Sequence, residues 1–263
     1  MVNQYLSTPL EILKIEKETS IDYTYTFKYS GKLVSGQFFQ LSIPGVGEAP
    51  ISVSDFNDNE MMMTIRKVGK LTDEIFKKQV GQRIKFRGPY GNGFDTNNFL
   101  ANEVTIIAGG TGLAPVKNLA KQLMKKKDEL LGLNMIFGFK SSKDILFKEE
   151  LSGWKSDYNL TLTIDREEEG WDGDVGLVTT YIKGLGIASD KKQKFVVVGP
   201  PLMMKFTTLE LLKNGAKEED IWVSFERKMS CGIGKCGHCK IDETYVCLEG
   251  PVFEYSVAKN LLD

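Results

Sequence analysis

Cys231, Cys236, Cys239 and Cys247 are the only cysteines in the 263-residue chain, and they crowd into one glycine-rich stretch, CGIGKCGHCKIDETYVC. Disulfides that staple a secreted fold are spread along it, whereas thiols gathered this closely suit a metal centre in a reducing compartment. The spacing C-x4-C-x2-C with a later cysteine follows the plant-type [2Fe-2S] pattern, in which a tight loop wraps the cluster and a last thiolate completes the set. Gly232, Gly234 and Gly237 let the backbone turn toward the inorganic sulfides and aim N–H donors at them, which favours the reduced, more negative cluster. Structural zinc is the bland alternative. It usually pairs its cysteines as two C-x2-C knuckles, and here only one such pair exists. His238 is the sole histidine, so a Rieske centre, which needs two, is excluded; it reads as a neighbouring or surface residue.

Two glycine turns could hold a nucleotide. AGGTGLAP, residues 108–115, follows an apolar strand and opens a helix, so the backbone at Gly110, Thr111 and Gly112 could cradle a pyrophosphate at a helix N-terminus. VVVGPP, residues 196–201, puts Gly199 and Pro200 at the end of a later strand, along the edge where doubly wound sheets bind ligands. Asp165, at the end of LTLTID, could accept from a ribose hydroxyl and repel a 2′-phosphate, which favours NADH. Nearer the start, APISVSD places Ser52 where its hydroxyl could hydrogen-bond a flavin ring, and IRKVGKLT could set Arg66, Lys70 and Thr72 beside its phosphates. Read alone, that second pair is an ordinary strand followed by a capped helix.

Three kinds of element must position these groups. Residues 1–99 read as an antiparallel barrel, with short alternating runs such as GQFFQLSIP, where Phe39, Leu41 and Ile43 share one face and Gln40 and Ser42 the other. Asp73 and Glu74 ahead of Lys77 and Lys78 predict one short helix charged to suit its dipole. Residues 100–219 alternate apolar strands with helices, the pattern of a parallel α/β sheet. The first of those helices aligns Val116, Leu119, Ala120, Leu123 and Met124 as its inner stripe, and a second runs from Pro201 to Gly215. Residues 220–263, beginning with the strand-like IWVSFER, form a third module that bears the cysteines. The expected fold is thus a β-barrel, an α/β domain and a small iron–sulfur module.

Composition narrows the function. With 34 basic and 35 acidic side chains the net charge is −1, which gives no drive toward nucleic acid or anionic lipid. The opening residues lack a secretory signal, and no apolar run reaches membrane-spanning length, so a cytoplasmic location is expected.

Taken together, GEAPISVSD, VGKLTDEIF, AGGTGLAPVKNL, VVVGPPLMMKFT, ERKMSCGIGKCGHC and YVCLEGPVF resemble the ferredoxin reductase superfamily, in its branch with an added [2Fe-2S] module. Within that branch they are most similar to the electron-transfer subunits of anaerobic sulfite reductases. The resemblance implies FAD in the barrel, NADH in the second domain, and a [2Fe-2S] exit toward partner subunits carrying iron–sulfur clusters and sirohaem, where sulfite becomes sulfide. It would place Pro50, Ile51 and Ser52 beside the flavin ring, Ile65, Arg66 and Lys67 along its chain, and Gly69, Lys70 and Thr72 at its pyrophosphate. Gly110, Thr111 and Gly112 would lie near the nicotinamide and its phosphates. The superfamily's flavin motif usually opens R-P-Y-S or R-P-x-S, but Ala49 stands at the arginine position and Ile51 at the tyrosine position. The charge-assisted pyrophosphate contact would then have to come from Arg66 or Lys70. Electron-transfer subunits of dihydroorotate dehydrogenase and of sulfhydrogenases share the branch. No acid–base residue is expected, because the cofactors carry the chemistry.

Overall fold

A computed structural model describes residues 5–261. The chain divides into two units: one joins the residues up to Phe94 with Phe225–Val252, the other joins Asp95–Ser224 with those from Phe253 onward.

In the first unit, β1 (Thr8–Lys17), β2 (Asp22–Lys28), β3 (Phe38–Ile43), β4 (Gly47–Ser52), β5 (Asp55–Phe56), β6 (Glu60–Arg66) and β7 (Arg83–Tyr90) make an antiparallel barrel sheet in the order β4-β3-β7-β1-β2-β6-β5. Alternation drives it: Met61, Met63 and Ile65 along β6 and Phe39 and Leu41 along β3 all turn into one core with Tyr25, Phe27, Ile84 and Phe86. Fully burying a side chain as large as Phe27 is worth about 1.5–3 kcal/mol, and its ring meets Phe86 edge-on at 4.7 Å. The predicted short helix is α1 (Lys70–Ile75).

The second unit holds a sheet in the order β11-β10-β9-β8-β12-β13-β16. Its strands are β8 (Glu103–Gly109), β9 (Gly132–Phe139), β10 (Asn159–Ile164), β11 (Asp174–Val175), β12 (Gln193–Val198), β13 (Ile221–Ser224) and β16 (Val252–Glu254). From β11 through β13 every neighbouring pair is parallel. Continuous apolar runs such as TIIA and FVVV are buried, as parallel strands covered on both faces require. Helices α2 (Leu113–Lys125), α3 (Lys148–Asp157) and α4 (Pro201–Lys213) connect them, and α2 buries the expected stripe Val116, Leu119, Ala120, Leu123 and Met124.

The division differs from the three modules expected with boundaries at 99 and 219. IWVS is β13 of the parallel sheet, held there by Ile221, Val223 and the packing of Trp222 on Phe99 at 5.8 Å. The cysteine segment between β13 and β16 belongs with the barrel instead. It contains the hairpin β14 (Lys240–Ile241) and β15 (Thr244–Tyr245) and the short α5 (Val246–Glu249); α6 (Tyr255–Ala258) follows in the second unit. Among the described residues, no helix is long and apolar enough to cross a membrane.

Candidate redox centres

The cysteine loop is built on left-handed glycines. Gly232, Gly234 and Gly237 have φ of 75°, 67° and 80°, values at which a side chain is strained. A Cβ on Gly232 would lie 2.6 Å from the Tyr90 ring, so that glycine also admits the barrel wall. The turn aims amides at sulfur: Ile233, Lys235 and Cys236 N donate to Cys231 Sγ at 3.5, 3.4 and 3.4 Å, and Gly234 N donates to Cys247 Sγ at 3.2 Å. Backbone donors, that of His238 first, hold the Cys236 thiol down to about 7. Burial pushes the Cys247 thiol up to about 12, with a hydrogen bond to Cys239 second.

The four thiols are free, and they meet as two pairs, Cys231 with Cys236 and Cys239 with Cys247. Among the described residues no three His, Cys, Asp or Glu side chains converge as ligands to one ion, as a closed tetrahedral zinc site would require. Two thiol pairs under backbone donors fit a binuclear cluster, with two thiolates for each iron. His238 is exposed and enters through its amide.

On the barrel, Pro50, Ile51 and Ser52 are half-buried on β4, the strand at one end of the sheet order, paired with β3. Arg66 closes β6, where its Nε and one Nη donate to the two carboxylate oxygens of Asp22, 0% exposed, at 2.8 and 3.0 Å. Thr72 Oγ1 accepts from Val68 N and Gly69 N at 2.9 and 3.0 Å and donates to Gly69 O at 2.9 Å. Its hydroxyl therefore shapes the 68–72 turn and occupies two of that turn's amides. Lys67 and Lys70 stand exposed on either side, suited to a diphosphate. This exposed turn and the half-buried strand fit a flavin's phosphates and ring.

In the second unit, Gly110–Gly112 form a single turn between β8 and α2. Gly110 has φ of 54° with open space at its Cβ position. Gly112 is tight: a Cβ there would meet Val198 O at 2.5 Å and Gly199 Cα at 2.6 Å. The loops after β8 and β12, adjacent parallel strands, are thus in backbone contact at one carboxyl edge, with Pro200 preceding α4. Asp165 follows β10 at the same edge, exposed. Its strand lies next to the edge of the sheet, with the two-residue β11 outside it. Two strand spacings, roughly 10 Å, separate β10 from β8. That span suits a dinucleotide laid along the edge.

Residues 106–208 match the oxidoreductase NAD-binding domain family, and residues 226–257 match the iron–sulfur cluster binding domain of dihydroorotate dehydrogenase B. Sulfhydrogenase 1 subunit gamma of Pyrococcus furiosus is 31% identical, over 96% of this chain and 92% of its own. The chain belongs to the ferredoxin reductase-like electron-transfer subunits. Another member, a probable dihydroorotate dehydrogenase B electron transfer subunit of the same organism, is 34% identical over 86% of this chain and 83% of that one. A chain of the NADH-dependent reduced ferredoxin–NADP oxidoreductase, solved in work on flavin-based electron bifurcation, superposes with a TM-score of 0.79. It is 26% identical and covers 96% of this chain and 90% of its own. For an electron-transfer subunit of this family the cofactor set is FAD, a [2Fe-2S] cluster and NADH, as the resemblance implies.

The sequence reading did not single out Gln40, Glu48 and Arg87. Gln40 Nε2 donates to Met229 O at 3.0 Å, and Arg87, 8% exposed, donates to Ser230 O and Cys231 O at 2.9 and 3.0 Å while paired with Glu48. The available signal was weak. In RIKFRGPY the inward positions are Ile84 and Phe86, which turns Arg87 outward by alternation, but a register shift between Phe38 and Gln40 sets Gln40 opposite Arg87.

Proposed function

We propose that this chain carries electrons from NADH through FAD and a [2Fe-2S] cluster to the iron–sulfur and sirohaem subunits of an anaerobic sulfite reductase, where sulfite is reduced to sulfide in the cytoplasm. The observation that carries the electron-transfer reading is the pair of thiol pairs beneath backbone N–H donors, in one unit with the half-buried β4. The sulfite-specific part rests on the likeness of the motif segments quoted above. Bound FAD would take a hydride from NADH and release its electrons singly, a conversion the protein itself cannot perform.

The chain's own groups bind and tune. Cys231, Cys236, Cys239 and Cys247 would hold the irons, and the amides of Ile233, Gly234, Lys235 and Cys236 would offset the thiolate charge. Lys67 and Lys70 would face the flavin phosphates, Ser52 its ring, Gly110–Gly112 with Gly199 and Pro200 the nicotinamide nucleotide, and Asp165 its ribose. A second reading, the same wire serving a sulfhydrogenase, is supported by the similarity over 96% of the chain to a sulfhydrogenase gamma subunit.

The test is co-purification under anaerobic conditions, with flavin and iron assays and NADH-driven sulfide formation by the recovered complex. Cys247→Ala should lose most of its iron and stop sulfide formation, yet still oxidise NADH with ferricyanide, which accepts directly from reduced flavin. Sulfide formation at the wild-type rate without iron in this chain would refute the cluster as the exit. Partners that reduce protons or dihydroorotate's product instead would refute the sulfite assignment alone.

A further inference from the structure

Three consecutive carbonyls lead into the first cysteine, those of Met229, Ser230 and Cys231, and each accepts a hydrogen bond from a barrel side chain. Gln40 Nε2 takes Met229 O at 3.0 Å, Arg87 Nη2 takes Ser230 O at 2.9 Å, and Arg87 Nη1 takes Cys231 O at 3.0 Å. Gln40 and Arg87 face each other across β3 and β7, and Gln40 also pairs in register with Pro50 of β4. Glu48, on β4 itself, holds the Arg87 guanidinium through both oxygens, with Nε donating to Oε2 at 3.1 Å. Tyr90 OH accepts from Nη1 at 3.3 Å, and the Tyr90 ring backs Gly232.

A buried arginine whose acceptors are a carboxylate, a phenol hydroxyl and two loop carbonyls is expensive to desolvate and geometrically rigid. Here it joins two things by a single side chain: the strand bearing Pro50, Ile51 and Ser52, and the backbone of a cluster ligand. We propose that Gln40, Glu48 and Arg87 form a clamp that fixes Cys231 against β4 and thereby sets the rate at which electrons pass from flavin to cluster. Arg87 is its central positioning residue. The proposal rests on the reading of β4 as flavin-bearing and of Cys231 as an iron ligand. The step is a one-electron transfer in which no bond to the cluster forms; the reduced flavin would be the donor, its two electrons having come from NADH as a hydride, and two such transfers with loss of one proton would return it to the oxidised form.

Because Glu48 already balances Arg87, the clamp acts through hydrogen-bond geometry rather than net charge. That separates it from an electrostatic role. The experiment uses full-length holoprotein, purified anaerobically, with four readouts: flavin and iron content, the EPR spectrum of the dithionite-reduced cluster, stopped-flow flavin reduction by NADH, and the following cluster reduction. Arg87→Met should leave flavin content and flavin reduction unchanged, alter the EPR line shape, and slow cluster reduction by at least about tenfold, since small misplacements of reacting groups cost rate steeply. Arg87→Met with Glu48→Gln restores neutrality at the site without restoring the carbonyl bonds, so it should remain slow. Arg87→Lys, which keeps the charge but loses the fork, should fall between.

Wild-type EPR and cluster reduction in Arg87→Met would overturn the clamp, and so would full recovery of the rate in the double variant, which would make the effect one of charge. Should Arg87→Met fail to fold, Gln40→Met removes one neutral bond of the same clamp and must show the altered EPR signal, or the proposal fails. Wild-type protein lacking iron or flavin would be seen before any variant is made, and would overturn the underlying function instead.

Discussion

Gly112→Ala isolates the contact between the two nucleotide loops. Gly112 has φ of −62°, an ordinary helical value, so alanine meets no backbone penalty there. Space decides otherwise. The added methyl would sit 2.5 Å from Val198 O and 2.6 Å from Gly199 Cα, and both are backbone atoms at the end of a buried strand that no rotamer change can withdraw. Prying packed groups apart typically costs about 1–3 kcal/mol, which for a chain of this size lowers Tm by roughly 2–10 °C. The displaced loop is also the one assigned to the dinucleotide, so KM for NADH in the ferricyanide assay should rise several-fold while flavin content stays constant. Gly110→Ala is the control: its Cβ meets nothing within 4 Å, and only the φ of 54° is strained, a cost of about 1–2 kcal/mol. If Gly112→Ala melts at or above the wild-type temperature with unchanged KM, the loops are not in the contact described.

Ser52→Ala should slow stopped-flow flavin reduction by about two- to tenfold, the loss of one neutral hydrogen bond, with melting unchanged; an unaltered rate would remove Ser52 from the flavin site. Asp165→Asn should erode a preference for NADH over NADPH by roughly tenfold in the ratio of kcat/KM values, since a charged acceptor is lost; a wild-type enzyme that prefers NADPH would contradict the assignment. In iron-free protein, iodoacetamide should label exposed Cys236 first, at a rate that climbs as pH rises through about 7, where its lowered thiol ionises, and buried Cys247, pushed up to about 12, last. Peptide mass spectrometry would show the order, and equal labelling would argue against the backbone donors around Cys236.

The barrel and the parallel sheet were legible because their apolar periods are strong: alternation in FFQLSI and MMMTIR, continuous runs in VTIIAGG and KFVVVGP. The cysteine loop was legible from ligand spacing, and its left-handed glycines from the need to turn the backbone inside a short span. Long-range polar pairing was not. Gln40 lies on what alternation makes the solvent face of β3, yet it is 0% exposed, because residues from the far end of the chain cover it. Arg66 read as a phosphate ligand, but no local pattern signals that its carboxylate partner is Asp22, on the neighbouring strand. Thr72 likewise read as a ligand where its hydroxyl closes a turn. Module boundaries failed for a related reason: hydropathy marks IWVS as a strand without telling which sheet receives it.

The barrel unit's discontinuity has a consequence for biosynthesis. Arg87 emerges from the ribosome 144 residues ahead of Cys231, and Gln40 emerges 189 ahead of Met229. At roughly 5–20 residues per second, the nascent barrel waits roughly 7–38 s for the carbonyls that its two buried donors require, while the intervening parallel sheet is being made. Water must serve those donors in the interval. A stalled or prematurely released chain that ended between β7 and the cysteine loop would therefore expose a polar, half-finished wall beside β4.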